Sequence, residues 1–446
     1  MLYRIIIDNY RSFGETVQFD MFPNPKREIL GEHVYSDGQV PLLKMAALYG
    51  SNGAGKSNLV KALLFLKSLC TMPEFGREKH RYKDWYQKNR FSLPVREDDA
   101  PISFMMEFST RSRVFIYHVE IGAQGILREE LLLSGLGKEA NKPVFRRNGS
   151  EIQFFSDVTI PDAIIELFVR QLRALPGSSA LAINGALHFI DNGLMQHVYK
   201  WMRDDLIILD ENRPIPTLID MLLKDKKLLA YAGKIMTHID LGVEDMRIEN
   251  RPFDAWIDQL DEGERAFVLG QPIPAGENGS LIKLDAGKPL ISIHEDAGKK
   301  IVSEIMFRQL GTNGFVGDMD IQAQSDGTIR MLNLIPALYA AYQRNACVIV
   351  DELDRGIHPQ LIKELIRYFG LQTTHGQLIF TTHEEYLLNQ RELLRPDEVW
   401  IVDKNEGKSV VYSLNSFKIH NTISIQNGYM EGRYGGVPKI ALNHEE

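Results

Sequence analysis

Leu2 to Ile7 opens the chain with apolar, largely β-branched residues, and Val17 to Phe19 follows a turn around Gly14, a pattern that predicts an antiparallel strand pair. Lys44 to Tyr49 forms a second apolar run. It leads through a glycine-rich turn into Lys56 to Cys70, where Leu59, Val60, Leu63, Leu64 and Leu66 suit one buried helix. Beyond the charged and aromatic stretch Thr71 to Ala100, Ile102 to Phe108 and Val114 to Ile121 read as a strand pair joined at Ser109 to Arg113. Leu127 to Ser134 and Pro143 to Arg147 extend the same sheet. From Glu151 to Gly242 the pattern is mainly helical, with Thr217 to Ile239 the longest candidate and no sustained a/d register of a coiled coil. Arg247 to Glu295 turns strand-like. The last segment alternates helix Ile329 to Tyr342, strand Cys347 to Val350, helix Gln360 to Phe369 and strand Gln377 to Thr381. This order predicts an α/β protein with a parallel core, in which an amino-terminal lobe (1–150) and a carboxyl-terminal lobe (301–446) flank a mainly helical insertion with some strands (151–300).

Composition narrows the function classes. The chain has 446 residues, 44 % apolar and 25 % charged, enough for a substantial core. Its net charge of −8 argues against coating nucleic acid by bulk charge alone. Cys70 and Cys347 are its only cysteines, which excludes a disulfide framework or a cysteine-rich zinc site and fits a reducing compartment. The opening MLYRIIIDNYRSFGE reads as a mature strand rather than a signal peptide, and no run of 18 apolar residues suggests a membrane span. A cytoplasmic protein with no membrane partner is the expectation.

Gly50-Ser51-Asn52-Gly53-Ala54-Gly55-Lys56-Ser57 matches GxxxxGK[ST], between a predicted strand and a predicted helix. The glycines let consecutive N–H groups approach phosphate oxygens, and the helix beginning near Lys56 adds its positive end. In this pattern Lys56 supplies charge to the β and γ phosphates and Ser57 ligates Mg²⁺. The plainer alternative is a glycine turn that starts a helix.

Asp351 and Glu352 follow a buried strand, where the carboxyl end of a parallel strand faces a ligand. Asp351 would hold the Mg²⁺ shell, and Glu352 would polarise the water that attacks the γ phosphate. A solvated strand end would look the same in isolation. The next strand ends in Thr382 and His383, and His383 is a candidate donor to the γ phosphate or a structural histidine. Ser325 and Gly327 precede a helix and can present a hydroxyl and an N–H to an anion, or simply cap that helix. Asp318 and Asp320 read as a solvated turn more readily than as a nuclease DxD.

Taken in order, Gly50 to Ser57, Ser325-Asp326-Gly327, Asp351-Glu352, Leu353-Asp354 and His383 resemble the Walker A, signature, Walker B, D-loop and switch-histidine motifs of an ABC-type ATPase head. YGSNGAGKSNL is similar to the SMC, RecF and OLD-like branch. Asn9 to Phe13, Arg90 to Pro94, Leu241-Gly242 and Tyr429 to Pro438 resemble AAA-type ATP-binding proteins of abortive-infection and OLD-like phage-defence systems. The resemblance implies a mixed sheet with flanking helices, a Mg-dependent ATP hydrolase, and ATP held by Gly50 to Asn58 (Gly50, Ser51, Asn52, Gly53, Ala54, Gly55, Lys56, Ser57 and Asn58). Lys56, Glu352 and His383 would be its catalytic residues, with Ser57 and Asp351 on the metal. Ser325 and Gly327 would complete the site of a second copy, making a homodimeric head or a larger oligomer. It also implies a sensor or scaffold of an anti-phage system with a separately encoded effector, such as a Toprim-like protein. The alternative is a RecF-like or SMC-like repair or chromosome-maintenance ATPase that clamps DNA. The signature departs from the usual SGG: Asp326 adds a negative charge that can slow closure on nucleotide. Gly428 to Pro438 is a partner contact or a loop packed on its own core, and Arg11 is a phosphate contact or a surface residue.

Overall fold

The computed structural model describes all residues except 37–39, 74–78, 94–99, 156–159, 188–192, 211–217, 239–241, 271–279, 286–287, 297, 373–374, 390–391, 419–423 and 439–446. Pro94, Thr217, Ile239 and Leu241, which figured in the sequence patterns, lie outside the described residues. The chain divides into two compact units, one of Met1–Asp210, Ala341–Leu353 and Lys363–Glu446, the other of Glu211–Ala340 and Asp354–Ile362.

Among the described residues the first unit contains two large sheets and a small two-stranded one, Val34–Tyr35 with Leu42–Leu43. Leu2–Asp8 pairs antiparallel with Val17–Asp20 on one side and Ile102–Thr110 on the other. Arg113–Gly122, Gly125–Leu133, Lys142–Asn148 and Glu151–Phe154 continue this seven-stranded antiparallel sheet. The second sheet has the strand order Leu206–Leu209, Cys347–Val350, Gln377–Thr381, Met45–Tyr49, Val399–Asn405, Lys408–Ser413, parallel except for the last. Every residue of Met45–Tyr49, Cys347–Val350 and Gln377–Thr381 is buried, as strands covered on both faces require, so these read as apolar runs, with only Gln377 and Thr381 polar at the ends of the third. The helix Lys56–Thr71 buries Leu59, Val60, Leu63 and Leu66 in the core that also takes residues from both sheets.

The middle segment is less uniformly helical than its pattern suggests. It supplies helices Asp162–Ala174, Ala180–Leu187 and Gly193–Lys200, and also the edge strand Leu206–Leu209 of the parallel sheet. The single long helix expected after Thr217 is two, Leu218–Lys224 and Lys226–His238. Asp225 separates them because its Oδ1 accepts the N–H groups of Lys227 (2.9 Å) and Leu228 (3.0 Å), an N-cap that starts the second helix afresh.

The second unit is built on an antiparallel sheet of Val243–Pro252, Lys299–Leu310, Lys288–Asp296 and Ser280–Asp285, with Val316–Asp320 also paired to Lys299–Leu310. Phe253, Trp256, Ile257, Val268, Ile291, Ile293 and Val302 form a small core there.

Candidate nucleotide site

Gly50 to Ser57 links the carboxyl end of Met45–Tyr49 to the helix Lys56–Thr71. Two strand positions along the same sheet, Cys347–Val350 ends in Asp351 and Glu352, and the strand between them, Gln377–Thr381, ends beside Thr382 and His383. Parallel register therefore brings the loop, both acids and the histidine to one edge of one sheet. Ser325 and Gly327 lie in the other compact unit.

The loop is held from beneath. Lys56 is buried, and its Nζ donates to the carbonyls of Gly50 (2.7 Å) and Ser51 (3.3 Å), which closes the loop on itself. Gly55 has φ 118°, and any side chain there would run into the hydroxyls of Ser409 and Ser12. Those hydroxyls form a brace. Ser409 donates to the Ala54 carbonyl and accepts from the Ser12 hydroxyl (2.7 Å), which in turn accepts from Asn58 Nδ2 (2.7 Å). Ser12 belongs to the Asn9 to Phe13 segment, whose Asn9 and Arg11 both have left-handed backbone angles. Arg11 lies over the Tyr10 ring with its Nε donating to the Tyr10 hydroxyl (3.1 Å), so it is engaged locally.

Tyr429 to Pro438 also belongs to this floor. Tyr429 is buried against Tyr49 and donates its hydroxyl to the Gly436 carbonyl (3.1 Å), while Gly436 packs against Gly50. Burial, then the charges of Glu385 and Asp403, push the Tyr429 phenol up to about 12. Tyr429, Tyr434 and Gly436 thus pack on the protein's own core, while Met430, Glu431 and Arg433 are exposed.

At the acidic strand end one hydroxyl does two jobs. Thr381 Oγ1 donates to Asp351 Oδ1 (2.6 Å) and accepts the Glu352 N–H (2.7 Å). The Asp351 N–H bonds to the Leu209 carbonyl (2.9 Å), so neighbouring strands on both sides fix this acid. Glu352 has φ 51°, a left-handed angle that costs a non-glycine residue about 1–3 kcal/mol and turns the chain sharply out of the strand. Asp351 is buried, Glu352 half-buried and His383 exposed.

In the second unit, Ser325 Oγ accepts the Thr328 N–H (3.1 Å) and pairs with the Thr328 hydroxyl (2.9 Å), an N-cap for the helix Asp326–Arg344. Ser325 and Asp326 are exposed. A Cβ at Gly327 would stand 2.6 Å from the Gly356 carbonyl, so close packing on the segment after Asp354 requires glycine there. Asp318 forks with Arg247 (2.8 Å twice) and Asp320 caps Ala323 N–H (2.9 Å), which accounts for both acids as surface structure. Among the described residues no group of three His, Cys, Asp or Glu is arranged to hold a metal by side chains alone. Ser57 and Asp351 are hard oxygen donors at one sheet edge, and this donor set suits Mg²⁺, which takes few protein ligands beside phosphate oxygens.

Thr381 and Ser409 were not among the residues the sequence singled out, and Ser12 figured only as part of the Asn9 to Phe13 stretch. The only signal for Thr381 was its place at the end of a buried strand beside the acidic one. Ser12 and Ser409 are distant in sequence and only the fold joins them.

A phosphate loop at the start of a helix, with a buried carboxylate held at the end of a strand two places away, defines a nucleotide-binding α/β ATPase domain. The chain belongs to the family described as AAA domain, putative AbiEii toxin, Type IV TA system, whose model matches residues 45–389. It is also similar to several solved structures. One is an SmcHead bound to the C-winged helix domain of ScpA (13 % identity, 96 % of this chain and 99 % of that one, TM-score 0.45). Another is an SMC head domain from Thermotoga maritima (12 %, 94 % and 99 %, TM-score 0.43). A third is an Smc head domain with an extended coiled coil, bound to the C-terminal domain of ScpA, from Pyrococcus furiosus (14 %, 97 % and 99 %, TM-score 0.40). No curated protein matches the chain. Among the described residues no helix is long and apolar enough to cross a membrane.

Proposed function

We propose that the chain binds and hydrolyses ATP at the sheet edge formed by Gly50 to Asn58, Asp351, Glu352 and His383, and that it is the ATPase sensor or scaffold of a bacterial abortive-infection system. The observation that carries the reading is the shared edge: loop, buried acid and histidine end three neighbouring parallel strands. The family's description, with its AbiEii toxin, favours the defence role.

In this reading the loop N–H groups and Lys56 neutralise the phosphate oxygens. Ser57 and Asp351 hold Mg²⁺, which supplies further charge stabilisation when bound. Glu352, half-buried beside Asp351, accepts the proton of an attacking water, and His383 donates to the γ phosphate. Ser325 and Gly327 serve a second copy, so ATP would join two molecules and its cleavage release them. The effector is then a separate protein, such as a Toprim-like one.

Light scattering with a nonhydrolysable ATP analogue tests the assembly. The Glu352→Gln variant should bind ATP and stay associated, and Lys56→Ala should lose nucleotide binding. A mass that does not change with nucleotide, in wild type and Glu352→Gln alike, refutes the two-copy site. The competing DNA-clamp reading predicts ATP-dependent duplex binding that weakens steeply with salt.

A further inference from the structure

The amino ends of Cys347–Val350 and Gln377–Thr381 lie at the sheet edge opposite the phosphate loop. A cavity of about 620 Å³ lies there, within the range of small-molecule sites. None of its lining residues belongs to the nucleotide site. Arg111, His197, Lys200, Trp201, Arg344 and His375 line it.

Two features set this cavity apart from an ordinary surface recess. Trp201 is only 2 % exposed and stacks on Phe108, yet its indole N–H has no hydrogen-bond partner. His197 Nδ1 is likewise buried without one. Buried donors are nearly always satisfied, so an orphaned indole N–H in a cavity wall points to a missing acceptor. Trp201–Asp205 is also a π-helical turn, a form concentrated at functional sites.

The lining is cationic. Against Arg111, Lys200 and Arg344 stand Asp204 and Asp205. Arg203 forks with Asp204 at 2.8 and 2.9 Å and neutralises it. Burial first, then the charges of Arg111, Arg113 and Lys200, hold His197 below its ordinary range, as a positive local field does. The His197 imidazole, an indole N–H and three exposed cations, of which Arg344 also faces Asp205, form a donor set for phosphate oxygens.

We propose that this cavity binds a small phosphate-bearing anion, gripped by Arg111, Lys200 and Arg344, with the Trp201 indole N–H as a hydrogen-bond donor. The turn that carries Trp201 is tied to the phosphate-loop helix, because Lys67 Nζ donates to the carbonyls of Arg203 (3.0 Å) and Leu206 (2.6 Å).

The test is a pyrophosphate titration of the full chain, followed by calorimetry and by tryptophan fluorescence, after saturation with a nonhydrolysable ATP analogue. The expected result is saturable binding at a second site, with Kd raised at least tenfold in Lys200→Gln and in Arg344→Gln. Lys200 is exposed, so its substitution leaves folding intact. Trp201→Phe should remove the optical change and weaken the calorimetric binding severalfold. Absence of saturable binding overturns the proposal, as does an unchanged Kd in both charge variants. Two further outcomes also overturn it: binding abolished by Lys56→Ala, which would place pyrophosphate in the phosphate loop, and duplex DNA binding through Lys200 and Arg344 without any pyrophosphate binding.

Discussion

Thr381→Val replaces a hydroxyl by a methyl of nearly the same volume, at a side chain that is 0 % exposed. Two hydrogen bonds disappear together: the one at 2.6 Å to the Asp351 carboxylate and the one at 2.7 Å from the Glu352 N–H. A bond to a charged group is worth about 1.5–3 kcal/mol, and a buried N–H left without a partner costs about 1–3 kcal/mol. Asp351 keeps its main-chain bond to Leu209, so the strand stays in place while the carboxylate can turn. Since about 1.4 kcal/mol is tenfold in rate, turnover should fall about 10- to 100-fold. Affinity for an ATP analogue measured without Mg²⁺ should change little, because the phosphate loop is braced separately by Ser12 and Ser409. Thr381→Ser keeps the hydroxyl and should recover most of the rate. Steady-state phosphate release and analogue titration, with and without Mg²⁺, give both quantities. Turnover within twofold of wild type in Thr381→Val would refute the idea that this hydroxyl positions the acids.

Gly55→Ala forces a Cβ against Ser409 and Ser12 at φ 118°, so nucleotide binding measured by calorimetry should be lost while the thermal unfolding of the rest of the chain persists. Arg147→Ala removes a fully buried guanidinium that pairs with Glu129 at 3.0 Å and donates to the carbonyls of Ser178 (2.7 Å) and Pro176 (3.2 Å). It should cost about 3–5 kcal/mol in chemical denaturation, because Glu129 would keep a buried charge with its main cation gone. Asp326→Asn removes the exposed negative charge at the start of the Asp326–Arg344 helix, so nucleotide-driven association should strengthen about two- to fivefold in sedimentation, and more at low salt.

How much of this was legible in the sequence follows from which physical signals are local. Cys347–Val350 and Gln377–Thr381 were readable to the residue because strands buried on both faces have apolar interiors. The phosphate loop was legible because three close glycines, a lysine and a serine have one common physical use at a strand–helix junction. The break at Asp225 was not legible, since the apolar spacing on either side runs on through a residue whose side chain happens to cap. Gly327 read as an anion contact or as part of a helix cap, and the carbonyl of Gly356 gives it a packing reason that neither reading contained.

The strand Leu206–Leu209 shows why the rest had to wait for the fold. Its four apolar residues sit after a helix and a π-helical turn, so periodicity alone assigns them to the helical middle. Pairing decides otherwise: Leu206 to Leu209 run parallel to Cys347 to Val350 in register, and the last carbonyl of the strand takes the Asp351 N–H. The acid is thus held from one side by a segment 142 residues earlier in the chain and from the other by Thr381. Neither contact carries a motif. What makes Asp351 useful at this sheet edge is its fixed direction, and that direction is set by two neighbours whose own residue types, a leucine carbonyl and a threonine hydroxyl, announce nothing about chemistry.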